Sequence, residues 1–255
     1  MFYGGAAVAD KLQEIQERIE KDPTNDALWL EKGMELIAQD KPAEARMALN
    51  KGLYYNPFNG HCHHRRGRKY ISEGRYAEGL ADIIMAARLD YDNNEHWYYQ
   101  GVAASLAGYY QIAIDAFERA IVLMKRQGVE EWVACVEWMW VTYMKWGKKE
   151  EAAQIVKTVD ENTPCIPRSL SYKRKVLLYN GTIPPEDFLD REAIKKRDRP
   201  ELYLIGELYG LGNYYISMGQ PEKGVPLLQE ARQVPTWHSC FAYQQACNDL
   251  KAMGL

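Results

Sequence analysis

The densest group of chemistry-bearing side chains is the run His61-Cys62-His63-His64-Arg65-Arg66-Gly67-Arg68-Lys69. Residues three apart on a helix share a face, so His61 and His64 could offer two imidazoles to a metal ion. No third ligand is fixed by spacing; Glu31 or Glu95 would have to be recruited from elsewhere. Zinc asks for more than two ligands, so partly exposed histidines are the plainer reading, and neither a metal nor a cofactor is expected. Arg65 and Arg68 are also three apart, and two planar guanidinium groups on one face can clamp a carboxylate. The competing account of this stretch is a solvated basic face that balances acidic neighbours.

Other reactive types are scattered. Cys165 lies in a proline-flanked connection and Cys240 two residues after His238, neither beside a base fixed by spacing. There is no Walker A loop, GxGxxG or HExxH. The pairs Glu130-Glu131 and Glu150-Glu151 fall at expected helix starts, where carboxylates favour the helix dipole. An enzyme is therefore not expected. With 32 basic against 35 acidic residues, the net charge of −3 gives no general reason to expect nucleic acid or an anionic membrane. Five cysteines without a CxxC pair suit reduced thiols, and MFYGGAAVAD lacks the basic start of an export signal. A cytoplasmic protein is the expectation.

The elements that position these residues emerge from a repeat. Stepping by 34 from Trp29 aligns His63 and Trp97, and likewise Gly33, Gly67 and Gly101. Ala45, Gly79 and Ala113 fall in line, as do Gly52, Ala86 and Ala120. A fourth unit carries Val136, Trp140, Gly147 and Ala152; a degenerate fifth carries Leu170, Leu177, Gly181 and Ala193; a sixth carries Leu208, Gly212, Gly219, Gly224 and Ala231. The position eleven residues after each origin is Asp40, Gly74, Gly108, Gly147, Gly181 and Gly219. Such a glycine predicts a left-handed turn closing the first of two amphipathic helices. Small residues recur where the helices must approach closely. One helix pair cannot bury both its faces, so neighbours must stack.

These residues resemble the tetratricopeptide repeat family, whose pattern is W-x2-L-G-x2-Y, then A-x3-F, A and a closing P over 34 residues. Trp97, Gly101, Gly108, Ala113, Phe117 and Ala120 carry the pattern in the third unit, and Trp29, Gly33, Ala45, Gly52 and Pro57 in the first. The resemblance covers roughly residues 24–236. The leucine before the family glycine is replaced by Lys32, Arg66 and Gln100, predicting a less buried position. The resemblance implies an all-α, right-handed superhelix, an α-solenoid of about six helix pairs with capping helices at both ends. The expected organisation is 1–23 a capping helix and 24–180 units one to four with the first helix of the fifth. Residues 181–200 form a short helix and linker where the array bends, 201–236 the sixth unit and 237–255 a closing helix. The C-terminal half also loosely resembles NlpI-type repeat lipoproteins, which are adaptors for envelope proteases and hydrolases, although no lipid-anchoring cysteine stands near the start.

In this family the second, fifth, ninth and twelfth residues of each unit line a concave groove. The resemblance implies Ala27, Leu30, Met34 and Ile37 in unit one, and His61, His64, Arg68 and Ile71, with Arg65 alongside, in unit two. In unit three it implies Glu95, Tyr98, Val102 and Ser105 beside Tyr99, and in unit four Ala134, Glu137, Val141 and Met144 beside Trp138. The peptide-binding residues are thus expected to be His61, His64, Arg65, Arg68, Glu95, Tyr98, Tyr99, Glu137 and Trp138. Leu30 and Met34 replace the lysine and asparagine of the clamp that holds chaperone EEVD tails, so that ligand is not expected. The function read here is a protein–protein adaptor that captures a peptide or partner helix bearing an acidic or carboxylate group. The alternative is a small-ligand or metal sensor built on the His61 and His64 face.

Overall fold

The computed structural model describes residues 4–255, with side chains from Lys11 onward. The export-signal reading falls partly on positions 1–3, outside the described residues. The chain forms two compact units, Met1–Ala103 and Ala104–Leu255. Among the described residues there is no strand, and the all-α helix-pair architecture stands in each unit.

The first unit contains α1 (Gly4–Lys21), α2 (Asp26–Ala38), α3 (Pro42–Tyr55), α4 (Gly60–Ser72), α5 (Tyr76–Leu89) and most of α6 (Asn94–Leu106). α1 lays Ile15 and Ile19 against Leu28 and Trp29. The repeat is visible in its hydrogen bonds. Asn25, Asn59 and Asn93 precede α2, α4 and α6, and each side-chain oxygen accepts from a backbone N–H of the first turn, at 3.2, 2.9 and 3.1 Å. Four residues on, Trp29 and Trp97 donate their indole N–H to Pro23 and Tyr91 carbonyls, both at 2.8 Å. His63, at the same repeat position, makes the equivalent bond from Nε2 to the Pro57 carbonyl at 3.0 Å. Its Nδ1 lies 2.9 Å from Asp82, which also receives Arg66 at 2.7 and 2.6 Å. Desolvation pushes the buried Asp82 carboxyl up, but hydrogen bonds from Arg66 and His63 outweigh it and hold it below the usual range. Much of the basic run thus builds the α4–α5 hairpin. Lys32, Arg66 and Gln100 are half-buried, as their polar character requires.

The turn residues all take a left-handed conformation: φ is 55° at Asp40, 76° at Gly74, 82° at Gly108, 80° at Gly147, 82° at Gly181 and 75° at Gly219. Aspartate tolerates this region better than most residues with a Cβ, which explains the single departure from glycine. In five of the six turns the next N–H bonds back to the carbonyl five residues earlier, as in Arg75 to Tyr70 at 2.9 Å and Gln220 to Tyr215 at 2.9 Å.

The second unit contains α7 (Tyr110–Arg126), α8 (Val133–Trp146), α9 (Lys149–Ile155) and α10 (Leu170–Tyr179). These are followed by α11 (Pro185–Phe188), α12 (Arg191–Lys195), α13 (Pro200–Ser217), α14 (Pro221–Gln233) and α15 (Phe241–Ala252). Its core gathers Val136, Trp140, Val176, Leu178 and Phe188, and a second cluster joins Ile205, Leu208, Leu228 and Leu250. Trp140 and Tyr179 stack at 3.7 Å. The stretch 181–200 holds the short helices α11 and α12, whose Phe188 and Ile194 are buried. These two apolar anchors hold 181–200 within the second unit, and the division between compact units falls inside α6. No helix of the described residues is long and apolar enough to cross a membrane. The five cysteines are free.

The helices of a pair cross backbone to backbone. A Cβ on Gly67 would come within 2.9 Å of Ile83 and 3.0 Å of the Gly79 carbonyl. On Gly224 it would strike the Gly212 carbonyl and lie 2.6 Å from Ile216. Gly206, also inside α13, meets only Ser171 Oγ at 3.5 Å. Gly224→Ala should therefore destabilise the chain by about 2 kcal/mol through overpacking. Gly206→Ala should stabilise it by roughly 0.5–1 kcal/mol through helix propensity. Chemical denaturation followed by circular dichroism reads both; equal shifts in one direction would refute the close crossing.

Candidate functional site

Within the first unit α4 and α6 bring together His61, His64, Arg65, Arg68, Glu95, Tyr98 and Tyr99, with one residue that sequence reasoning missed, His96. The Arg68 guanidinium sits 4.3 Å over the Tyr99 ring and donates to Glu95 at 3.2 Å. The His64 ring meets Tyr99 edge-on at 5.3 Å and lies tilted against His96 at 4.7 Å. Tyr98 and Tyr99 meet at 5.3 Å. His61 is exposed, with its ring 6.4 Å from that of His96. Arg65 is half-buried and has no hydrogen-bond or ion-pair partner among the described residues.

His64 was expected on an accessible groove face; it is only 2% exposed. Its Nε2 lies 3.5 Å from Glu95, and neither ring nitrogen makes a well-formed hydrogen bond. The cause is His96, also 2% exposed, which fills the space above it. The offset counting had no means of seeing this neighbour, since His96 sits one residue before the packing tryptophan and outside the groove offsets. His61 and His64 thus differ in environment, and no group of three His, Cys, Asp or Glu among the described residues is placed to hold a metal.

The electrostatics follow from burial. Desolvation lowers the His64 imidazole below its usual range, outweighing the pull of Glu95. His96 is pushed down to about 4, first by burial and then by His64. Glu95 is held at about 2, first by its contact with His64 and then by Arg68 and Arg65. At neutral pH the face therefore carries two guanidinium groups and one carboxylate, with His64 and His96 uncharged.

Glu137 and Trp138 require a larger correction. Both were placed in an accessible groove, and both are 1% exposed in the second unit. Every residue of α8 from Val133 to Thr142 is buried, as a helix that is apolar nearly all round should be. Glu137 pairs with Lys175 of α10 at 2.8 Å, itself buried, and lies 3.5 Å from the Tyr179 hydroxyl. Trp138 stacks on Phe117 at 6.3 Å and meets Phe241 of α15 edge-on at 5.8 Å. α15, the closing helix after the sixth unit, reaches α8 as well, where Asp249 accepts from Lys145 at 2.6 Å. That contact spans 104 residues of chain and has no local signature.

The cysteines hold no activated nucleophile in the buried core. Burial raises the Cys62 thiol to about 12 and also raises Cys135 and Cys240, so all three stay protonated.

The chain has the tetratricopeptide-repeat fold. It is similar to a tetratricopeptide repeat protein from Parabacteroides merdae, with a TM-score of 0.64 and 15% identity over 92% of this chain and 90% of that one. It is similar too to the APC/C hetero-tetramer Cut9–Hcn1, with a TM-score of 0.58 and 14% identity over 93% of this chain and 46% of that one. YrrB, described as a TPR protein with an unusual peptide-binding site, matches with a TM-score of 0.53 and 14% identity over 93% and 97% of the two chains. No protein-family model and no curated protein matches the sequence.

The buried imidazoles give a pH dependence. Unfolded histidines take protons near pH 6.5, whereas His96 does so only near 4 in the fold. The unfolded chain thus binds more protons between these values, and the contribution to stability is complete above about pH 6.5 and lost as pH falls toward 4. The thermal midpoint should drop less steeply over this window in His96→Gln than in the wild type. Parallel profiles would show that His96 does not carry the effect.

Proposed function

We propose that this chain is a protein-interaction adaptor that captures a peptide or partner helix on the α4–α6 face of its first unit. The observation that carries the reading is Arg65, a guanidinium with no hydrogen-bond or ion-pair partner among the described residues, one turn before the ion-paired and ring-stacked Arg68. Arg65 can receive a carboxylate of the partner without first breaking an internal ion pair, and the half-buried Tyr98 and Tyr99 supply flat contact area beside it. Arginine and tyrosine are the side chains on which binding energy concentrates in protein interfaces. Glu95 sets the polarity of the face: a partner must place its acid toward Arg65 and a donor or apolar group toward Glu95. The likeness to YrrB and to Cut9–Hcn1, whose descriptions name a peptide-binding site and a hetero-tetramer, supports the general role. The free cysteines support placing that work in a reducing compartment such as the cytoplasm.

Capture from lysate, comparing the wild type with Arg65→Ala/Arg68→Ala/Tyr98→Ala, tests this. One partner should be retained by the wild type, weaken with rising salt, and be lost from the variant while helicity and thermal midpoint stay close to wild type. If both proteins retain the same partners at all salt concentrations, the working surface lies elsewhere.

A further inference from the structure

The second unit holds a cavity of ≈ 620 Å³ walled by α8, α10, α13 and α15. That volume falls within the range of small-molecule sites, roughly 300–1,000 Å³. It exists for two structural reasons. The closing helix α15 reaches α8 through the Phe241–Trp138 and Asp249–Lys145 contacts, making a fourth wall. On α13, Gly206 lines the space with no side chain to fill it, one turn before Gly210. A Cβ on Gly210 would lie 2.6 Å from Lys175 Cδ, so the Lys175 stem runs across bare backbone to reach the cavity.

The lining sets donors with unused capacity beside two carboxylates, Glu137 and Asp198. Lys175 is buried, and its ammonium has one carboxylate partner, Glu137 at 2.8 Å, with the Tyr172 ring at 4.6 Å. The indole N–H of Trp138, buried at the same wall, has no hydrogen-bond partner. At the rim Arg199 is mostly exposed and only loosely paired, 3.8 Å from its neighbour Asp198. Arg168 is already committed to Glu131 through two hydrogen bonds, and so frames the site without being available to it. Flat apolar surface comes from Trp138, Tyr203 and Phe241. Cys240 also lines the space, but burial raises its thiol, so it contributes shape and not reactivity.

We propose that this cavity binds a small carboxylic acid with a flat apolar body, its carboxylate received by Lys175 and Arg199 and its body held among Trp138, Tyr203 and Phe241. Four helical walls favour a compact molecule over an extended peptide. Both lining carboxylates already face a cation, Glu137 facing Lys175 and Asp198 facing Arg199. The unfilled capacity, the Trp138 N–H and the remaining N–H groups of Lys175 and Arg199, is therefore for an acceptor and favours a carboxylate over a cation or a neutral amide. The site lies wholly within residues 104–255 and does not depend on the adaptor reading.

The full chain is titrated with phenylacetate and with phenylacetamide while the Trp138 indole N–H resonance, assigned by Trp138→Phe, is followed by NMR. Phenylacetate should shift that resonance saturably, and the amide should bind about tenfold more weakly or worse. Gly206→Leu, which fills the cavity from α13, should abolish the shift, and Arg199→Ala on the exposed rim should weaken it about tenfold, both with unchanged helicity. Equal affinity for acid and amide would overturn the carboxylate assignment. A shift that survives Gly206→Leu would place the ligand elsewhere, and a peptide ending in phenylalanine that binds more tightly than the acid would overturn the compact-ligand assignment. No saturable shift with either phenylacetate or the larger naphthylacetate would overturn the site itself.

Discussion

Three helix pairs, α2–α3, α4–α5 and α13–α14, depend on how closely two backbones can approach. At Gly67 against Gly79 and Gly212 against Gly224, the carbonyl of one helix occupies the place where the other would carry a Cβ. That contact sets the distance between the helices, and the distance sets which side chains reach across. Leucine and isoleucine then fill the flanks: Leu49 over Gly33, Ile83 over Gly67, Leu228 over Gly212. The left-handed turns are the second half of the same constraint, since only a sharp reversal returns the chain in time to make the crossing.

With that spacing established, polar groups are placed by what they can bond. The tryptophan position of the repeat is held by an N–H donated to a carbonyl six residues upstream, and His63 shows that the bond matters as much as the ring. An imidazole is smaller than an indole, and the room it leaves admits Asp82 and Arg66, converting an apolar joint into a charged one. The basic run of α4 therefore divides in two. One side builds the hairpin, and the other, Arg65 and Arg68, faces α6 with its tyrosines and Glu95.

The second unit treats its polar groups differently. Lys175 and Glu137 form an ion pair in the interior, a costly arrangement unless the partners are well matched. Nearby Glu207 is raised by burial, with one carboxylate oxygen unpartnered despite Arg174 at 3.3 Å. Lys175 and Glu137 line a space that α15 closes from one side. The same closing helix that covers Trp138 leaves a walled cavity where an open array would offer only a groove.

The repeat, its turns and its helix pairs are encoded locally, because they depend on residues within one 34-residue period: a capping asparagine, a packing ring, a crossing glycine and a left-handed turn. The sequence also shows that Arg65, Arg68, Tyr98 and Tyr99 share a neighbourhood, since they recur at fixed offsets in successive units. Which of the expected residues stay accessible was settled by packing between distant elements. His64 is buried by His96 from the next repeat, and Glu137 and Trp138 by Lys175 and Phe241, the latter from a helix about a hundred residues away. Accessibility is a property of what packs on top. A helical offset names the face a side chain occupies, and long-range contacts between elements decide whether that face meets solvent or another helix.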